Sequence, residues 1–224
     1  MDQKLLNLIN REWTSPALDQ LMATMSSFDF WTVPLVVVVL TMFGFGGFKA
    51  RAMIIVAMLV IGISDGIVSD SLKKIVHRPR PHEVLAGVRV VDLRRAKPRL
   101  KAVLQKVKVK MSRPKPGLAL GRSFPSSHTM NNICAALVLT FFYPRRGWLW
   151  FIPAILVGYS RIYVGAHWPS DVAISIVLAT GVTLLLLPLC EWAWRKIGPR
   201  TMPAIFARHR SLFTETEQTT ASTA

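Results

Sequence analysis

The sequence predicts an all-α fold: a polytopic membrane helix bundle of about five transmembrane spans, preceded by an N-terminal interfacial helix. Three observations carry this. Of 224 residues, 51% are hydrophobic and only 18% charged, where a soluble domain carries about a quarter charged. The apolar residues fall into blocks of roughly 20, enough at ~1.5 Å per residue to cross a hydrocarbon core of ~30 Å. The charge lies almost wholly outside those blocks, and 28 Lys and Arg against 12 Asp and Glu leave a net +16. Such an excess suits anionic headgroups, phosphates or nucleic acid. Together these exclude an ordinary soluble globule, a disordered chain and a disulfide scaffold. Cys134 and Cys190 sit within apolar runs and read as small buried hydrophobes. Residues 1–13 alternate charge with leucine and carry no small-residue cleavage site, so no signal peptide is expected.

Taken in order, Leu5, Leu6, Leu8, Ile9, Trp13, Leu18, Leu21 and Met22 recur at helical spacing among polar residues, which predicts the interfacial helix. The spans are read at about 30–48, without a charge; 52–72, interrupted by Asp65 and Asp70; 129–143; 148–166, with Arg161 near its end; and 172–190. Between the second and third, residues 73–122 hold 16 Lys and Arg but only Glu83 and Asp92 as acids, a local charge of +14. Leu100, Val103, Leu104 and Val107 within it are spaced as an amphipathic helix over about 99–108, suited to anionic lipid; a solvated charged loop is the plainer reading. One membrane-embedded domain is expected over 1–194, with a basic insertion at about 82–122 on its active face. A tail over 195–224, basic and then rich in Thr, Ser and Gln, is expected to be partly disordered.

Alternation of the spans brings three polar stretches to one membrane face. The first, Lys73 to Pro81, ends a span; Lys73 and Arg80 are two helical turns apart, and Pro79 and Pro81 end the helix and leave Arg80 extended. It could equally be a snorkelling basic cluster. The second is Pro125-Ser126-Ser127-His128. It marks a helix start whose free N–H groups can meet an anion, or a plain cap. The third runs from Ser160-Arg161 to His167 and Asp171. Arg161 lies in the apolar register, where an unpartnered charge costs at least ~2.5 kcal/mol. Pro169 suits a first helical turn, so that Asp171 can accept from one nitrogen of His167 and free the other; a purely structural Arg–Asp pair is the alternative. Jointly, three cations, two histidines and a helix start converge. Guanidinium groups suit a phosphate dianion, and the few loop acids suggest no metal site.

These residues resemble the three signature motifs of the type 2 phosphatidic acid phosphatase family, whose site is shared with the vanadium haloperoxidases: Lys73-x6-Arg80-Pro81, Pro125-Ser126-Ser127-His128, and Ser160-Arg161-x5-His167-x3-Asp171. All three occur in order over residues 73–171. Ser127 stands where the family more often has Gly. Arg78-Pro79 mimics the ending of the first motif, but position 71 is Ser rather than the Lys it would need. The resemblance implies catalytic roles for His167 as nucleophile, His128 as acid and Asp171 as orienting group, with Lys73, Arg80, Ser126, Ser127 and Arg161 binding phosphate. It implies no metal and no other cofactor, and a lipid phosphate substrate: undecaprenyl pyrophosphate, phosphatidylglycerol phosphate, phosphatidic acid or a lipid A phosphate. Anionic membrane lipids are the expected surroundings, and no nucleic-acid partner is expected, because five spans leave such a role remote. Short loops opposite the site (Lys49, Arg51; Arg145, Arg146; Arg195, Lys196, Arg200) are basic. They favour those loops inside and the site outside; the still more basic long loop could by the same rule stay inside, and the resemblance decides for a bacterial inner membrane protein with its site facing the periplasm or outside. The competing class is a small transporter or channel with a basic vestibule, which accounts for spans and charge but not for the histidine–aspartate arrangement.

Overall fold

The computed structural model describes residues 1–93, 99–115, 117 and 119–214. Helix dominates, as expected. The N-terminal stretch forms α1 (Asp2–Asn7), a π turn (Leu8–Glu12) and α2 (Pro16–Ser26), the last started by Pro16 and capped by Ser15, whose hydroxyl accepts from Leu18 N–H at 3.2 Å. Then come α3 (Phe28–Phe45) and α4 (Phe48–Ile63), which passes through a second π turn (Ser64–Ser69) into α5 (Asp70–Val76). The short α6 (Pro81–Val84) leads to the basic insertion. After it stand α7 (Ser127–Phe142), a 3-10 turn (Gly147–Trp150) running into α8 (Phe151–Tyr163), the long α9 (Pro169–Thr201) and α10 (Pro203–Arg208).

Among the described residues, three stretches are long and apolar enough to cross a bilayer: Phe28–Phe45, Phe48–Val84 and Pro169–Thr201. The chain is an integral membrane protein with these as its long apolar helices. The remaining two apolar blocks form α7, of 16 residues, and α8, of 13, each short of the ~20 a full crossing takes. Helix α7 is the centre of the bundle. Its Met130, Ile133, Cys134, Ala136, Val138 and Phe142 are buried against Ala52, Met53, Val56 and Val60 of α4, Ala154 of α8 and Ala179 and Leu187 of α9. Lipid offers no water-driven force between helices, so close van der Waals approach holds them together, and small residues at the contacts permit it. Helix α3 buries none of its residues, as befits a helix turned to lipid.

Three sequence expectations need correction, and the stretch after 190 adds a feature of its own. The fold is not wholly α. Lys108–Met111 (β2) pairs antiparallel with Arg89–Asp92 (β1), with Val90 opposite Lys110 and Asp92 opposite Lys108. The predicted amphipathic helix over 99–108 is therefore a 3-10 turn (Arg99–Leu104) followed by strand; alternation in Lys106-Val107-Lys108-Val109-Lys110 has the period of a strand and prevails over the i, i+3 leucines and valines. The N-terminal helix is two pieces docked on protein. Leu6, Ile9, Met22 and Ala23 are buried against Val88, Val91, Ile162, Tyr163 and Val172, while Leu5, Trp13 and Leu21 stay exposed. Asn10 fastens it, donating to the carbonyls of Arg89 (2.8 Å) and Tyr163 (2.6 Å) and accepting from Arg89 N–H (2.9 Å). Asp19 adds a bidentate pair with Arg89, at 2.9 and 2.7 Å, and a bond from the Tyr163 hydroxyl. Finally, α9 continues through residue 194 to Thr201, and the chain beyond folds back. Trp194 Nε1–H donates to the His209 carbonyl, the Glu191 carboxylate accepts from Leu212 N–H (both 2.9 Å), and Phe213 meets Phe142 edge-on. Only the polar end of the expected disordered tail, 215–224, lies outside the described residues.

The turn between α8 and α9 depends on Gly165, whose φ is +73°. A Cβ there would lie 2.7 Å from both the Arg89 carbonyl oxygen and Val88 Cγ1. Gly165→Ala should therefore destabilise the protein by at least about 1–2 kcal/mol, read as a lowered melting temperature in detergent; an unchanged melt would show that the turn relaxes freely.

Candidate active site

Helix α5 ends at His77, which takes the left-handed conformation (φ 47°). The chain then runs extended through Arg78-Pro79-Arg80-Pro81, with Arg80 at φ −74°, ψ 153°, because each proline bars helix for the residue before it. The helix thus does not persist from Lys73 to Arg80. The two cations are still neighbours, and Asp65, Asp70 and Arg122 share their surroundings. Lys73 donates to the Ser127 hydroxyl, which also lies 2.8 Å from that of Ser69.

Ser126 caps α7: its hydroxyl accepts from Thr129 N–H at 3.5 Å and Thr129 Oγ1 at 3.0 Å, while its own N–H donates to Ser175 Oγ at 2.8 Å. Its N–H is therefore committed to the protein, and only its hydroxyl proton is left to donate outward. His128, one residue into α7, has Arg161, Asp65, Arg80 and Lys73 as charged neighbours, and its ring meets Phe28 edge-on at 6.5 Å. Arg161 donates through Nη1 to the carbonyl and hydroxyl oxygens of Ser26 at the end of α2. The Nε atoms of both Arg80 and Arg161 are buried with no hydrogen-bond partner among the described residues. Two unpartnered guanidinium donors in one place are costly unless an anion meets them.

His167 is 3% exposed, and its Nδ1 lies 2.6 Å from the Ser123 carbonyl oxygen. A carbonyl only accepts, so Nδ1 carries the proton and the Nε2 lone pair is free. The expected bond from His167 to Asp171 is not the one formed. Asp171, fully buried, accepts from Ser123 Oγ (2.5 Å), Arg78 Nη1 (2.5 Å) and Trp168 N–H (3.1 Å). The physical reason is competition: the loop before α7 passes between them and fills the acceptor position at the ring with a backbone carbonyl. Burial, followed by the Arg161 and Arg80 cations and His128, holds the imidazole well below the ordinary histidine range.

Residues the motif reading passed over also belong here. Ser123 carried no signal. Arg78 had one, since its Arg-Pro repeat is the motif's ending two residues early. Ser26 and Asp2 come from the N-terminal segment and could be found only by folding the chain. His82, whose Nδ1–H donates to the Gly165 carbonyl at 2.8 Å, ties the first motif to the turn before His167.

Between α2, the β-ribbon and the end of α8 lies a cavity of about 1000 Å³, lined by Ser26, Arg80, His82, Lys108, Lys110 and Arg161, with Asp29 and Asp92 also reaching it. A second cavity of about 700 Å³, near α10, has Arg195 and Arg210 but no histidine; the first holds Arg80 and Arg161, and its lining residue Ala166 directly precedes His167. Among the described residues, no three His, Cys, Asp or Glu side chains gather to hold a metal ion.

The sequence matches the PAP2 superfamily over residues 51–195. Short stretches are similar to the bacitracin transport permease protein BcrC of Bacillus licheniformis (41% identical over 59 residues, 26% of this chain and 29% of that one), and to the undecaprenyl-diphosphatase of Sulfolobus acidocaldarius (39% over 66 residues, 28% and 31%). A longer stretch is similar to phosphatidylglycerophosphatase B of Escherichia coli (37% over 92 residues, 38% and 34%). The chain thus spans about a third of the length of these curated relatives. The crystal structure of Aquifex aeolicus LpxE superposes with a TM-score of 0.58 at 25% identity, covering 84% of this chain and 94% of that one.

If the tautomer is as the Ser123 contact requires, ¹⁵N NMR of histidine-labelled protein should show His167 neutral and protonated at Nδ1 through the pH range in which a free histidine titrates. Its charge should appear only at lower pH, because a depressed pKa favours the neutral form. A ring that titrates with the free amino acid would refute the assignment.

Proposed function

Because the chain belongs to the PAP2 superfamily, we propose that it is a membrane-embedded lipid phosphatase working through a phosphohistidine. The observation that carries this is the Nδ1 contact of His167 to the Ser123 carbonyl, which leaves Nε2 unprotonated beside the unpartnered Arg80 and Arg161 nitrogens. In the first step Nε2 attacks phosphorus, and the bond to the lipid oxygen breaks as that oxygen takes a proton from His128. In the second, His128 accepts a proton from water, whose oxygen attacks phosphorus; phosphate leaves and His167 is regenerated. Lys73, Arg80 and Arg161, with the hydroxyls of Ser126 and Ser127, hold the equatorial oxygens as charge spreads over them.

The apolar helices keep the lipid tails in the bilayer while the headgroup enters the basic cavity. Undecaprenyl pyrophosphate, phosphatidylglycerol phosphate, phosphatidic acid and lipid A phosphates are the substrate classes that fit. Similarity to a protein named as a permease agrees with the transporter reading, but transport gives no use to a histidine held in one tautomer. Basic loops and the basic end of α9 opposite the site support an extracytoplasmic active face in a bacterial inner membrane.

Purified protein should release phosphate from at least one of these four lipid classes, and His167→Ala should lower kcat by ~10³-fold or more; release undiminished in the variant, or none from any class by the native protein, overturns the proposal. For orientation, a cysteine at Leu120, 75% exposed on the site's face, should react with an impermeant maleimide on intact cells. Reaction only after lysis would place the site inside.

A further inference from the structure

Behind His167 the hydrogen bonds close into a ring. Arg78 Nη1 donates to Asp171 Oδ1 at 2.5 Å, Asp171 Oδ2 accepts from Ser123 Oγ at 2.5 Å, and Ser123 N–H donates back to the Arg78 carbonyl at 2.8 Å. The one remaining polar group of Ser123, its carbonyl, accepts from His167. Ser123 is fully buried and lies between β2 and α7, in a stretch, 119–126, that forms neither helix nor strand. Nothing regular therefore fixes that carbonyl except the ring. Arg78 is itself held from two further sides. Asp2 accepts from its Nη2 at 2.6 Å while also accepting from the N–H and hydroxyl of Ser170, and the Trp168 ring lies 5.3 Å from its guanidinium.

We propose that Arg78 and Ser123 are positioning residues for the reaction: through the Ser123 carbonyl they aim the His167 imidazole at phosphorus, and Asp171 acts on the ring through them and through the Trp168 N–H beside it. The inference rests on His167 being the nucleophile. Its physical content is geometric. A single bond to a loop carbonyl sets the ring's rotation, and a displacement of about 1 Å at the attacking atom can cost ~100-fold in rate. The charged groups facing the ring from other elements are Arg80, His128 and Arg161. Among the described residues none of the three is hydrogen-bonded to Arg78 or Ser123, so changes there are expected to act on aim rather than on phosphate binding.

The test compares Arg78→Gln, Arg78→Lys and Ser123→Ala with the native protein, each normalised to folded, monodisperse enzyme. Ser123→Ala keeps the carbonyl but opens the ring, which separates positioning from the carbonyl's mere presence. Arg78→Gln and Ser123→Ala should each lower kcat by ~10–100-fold with KM nearly unchanged, and single-turnover phosphoenzyme formation should slow to match. Arg78→Lys, which returns one donor to Asp171, should recover part of the loss. Both damaged variants should also lose the single Nδ1-protonated ¹⁵N signature of His167. A lowered melting temperature with native kcat and an intact His167 signature would reduce the ring to a structural staple and overturn the proposal. Should the native protein release no phosphate, the functional reading fails instead, and the ¹⁵N signature still decides whether the ring orients His167.

Discussion

One buried carboxylate organises the candidate site. Asp171, in the first turn of α9, gathers donors from three places: the guanidinium of Arg78 after α5, the hydroxyl of Ser123 before α7, and the N–H of Trp168 at its own helix start. A carboxylate taken out of water costs several kcal/mol unless it is paired and its lone pairs are filled, and here three donors fill them. Meeting that requirement pulls three chain segments to one point. These are the segments that carry Lys73 and Arg80, Ser126 to His128, and Arg161 and His167. The cationic cradle is in this sense a by-product of satisfying one acid.

The N-terminal segment is the second organiser. It contributes Asp2 to Arg78 and Ser170, Asn10 to the β-ribbon and Tyr163, Asp19 to Arg89 and Tyr163, and Ser26 to Arg161. Each contact is polar and joins the segment to an element that carries or borders the site. Helices packed through small residues in lipid have little directional preference, so specific hydrogen bonds at their ends do the aligning. The β-ribbon uses the same logic: Val88 and Val91 are buried beneath it, while Lys108 and Lys110 turn to the cavity.

Much of this was legible in the linear chain. The apolar blocks located the helix starts within a few residues, although α9 runs past the expected end at 190 to Thr201; Pro79, Pro81 and Pro169 marked where helices stop and start, and the three motifs named the candidate groups. What escaped were pairings. Asp171 stands four residues from His167, the natural spacing for a bond, yet the bond goes to Ser123, because a loop 44 residues upstream supplies an acceptor first. Arg78 was set aside for lacking a lysine seven positions earlier, a test of motif grammar that says nothing about what its guanidinium reaches. In the insertion, the Lys-Val alternation announced a strand more clearly than the leucine spacing announced a helix.

The division has a physical cause. Helix location, lipid exposure and the chemical types at the site follow from local composition, since the bilayer imposes hydrogen-bonded helix on any sufficiently long apolar run and proline acts on its immediate neighbours; these the sequence determined alone. Which acceptor each donor finds, which tautomer His167 holds and which face of the N-terminal helices is covered by protein depend on distances between segments tens of residues apart. Those were decided only when the bundle closed, because a hydrogen bond is selected by geometry within an ångström and no spacing rule along the chain conveys that.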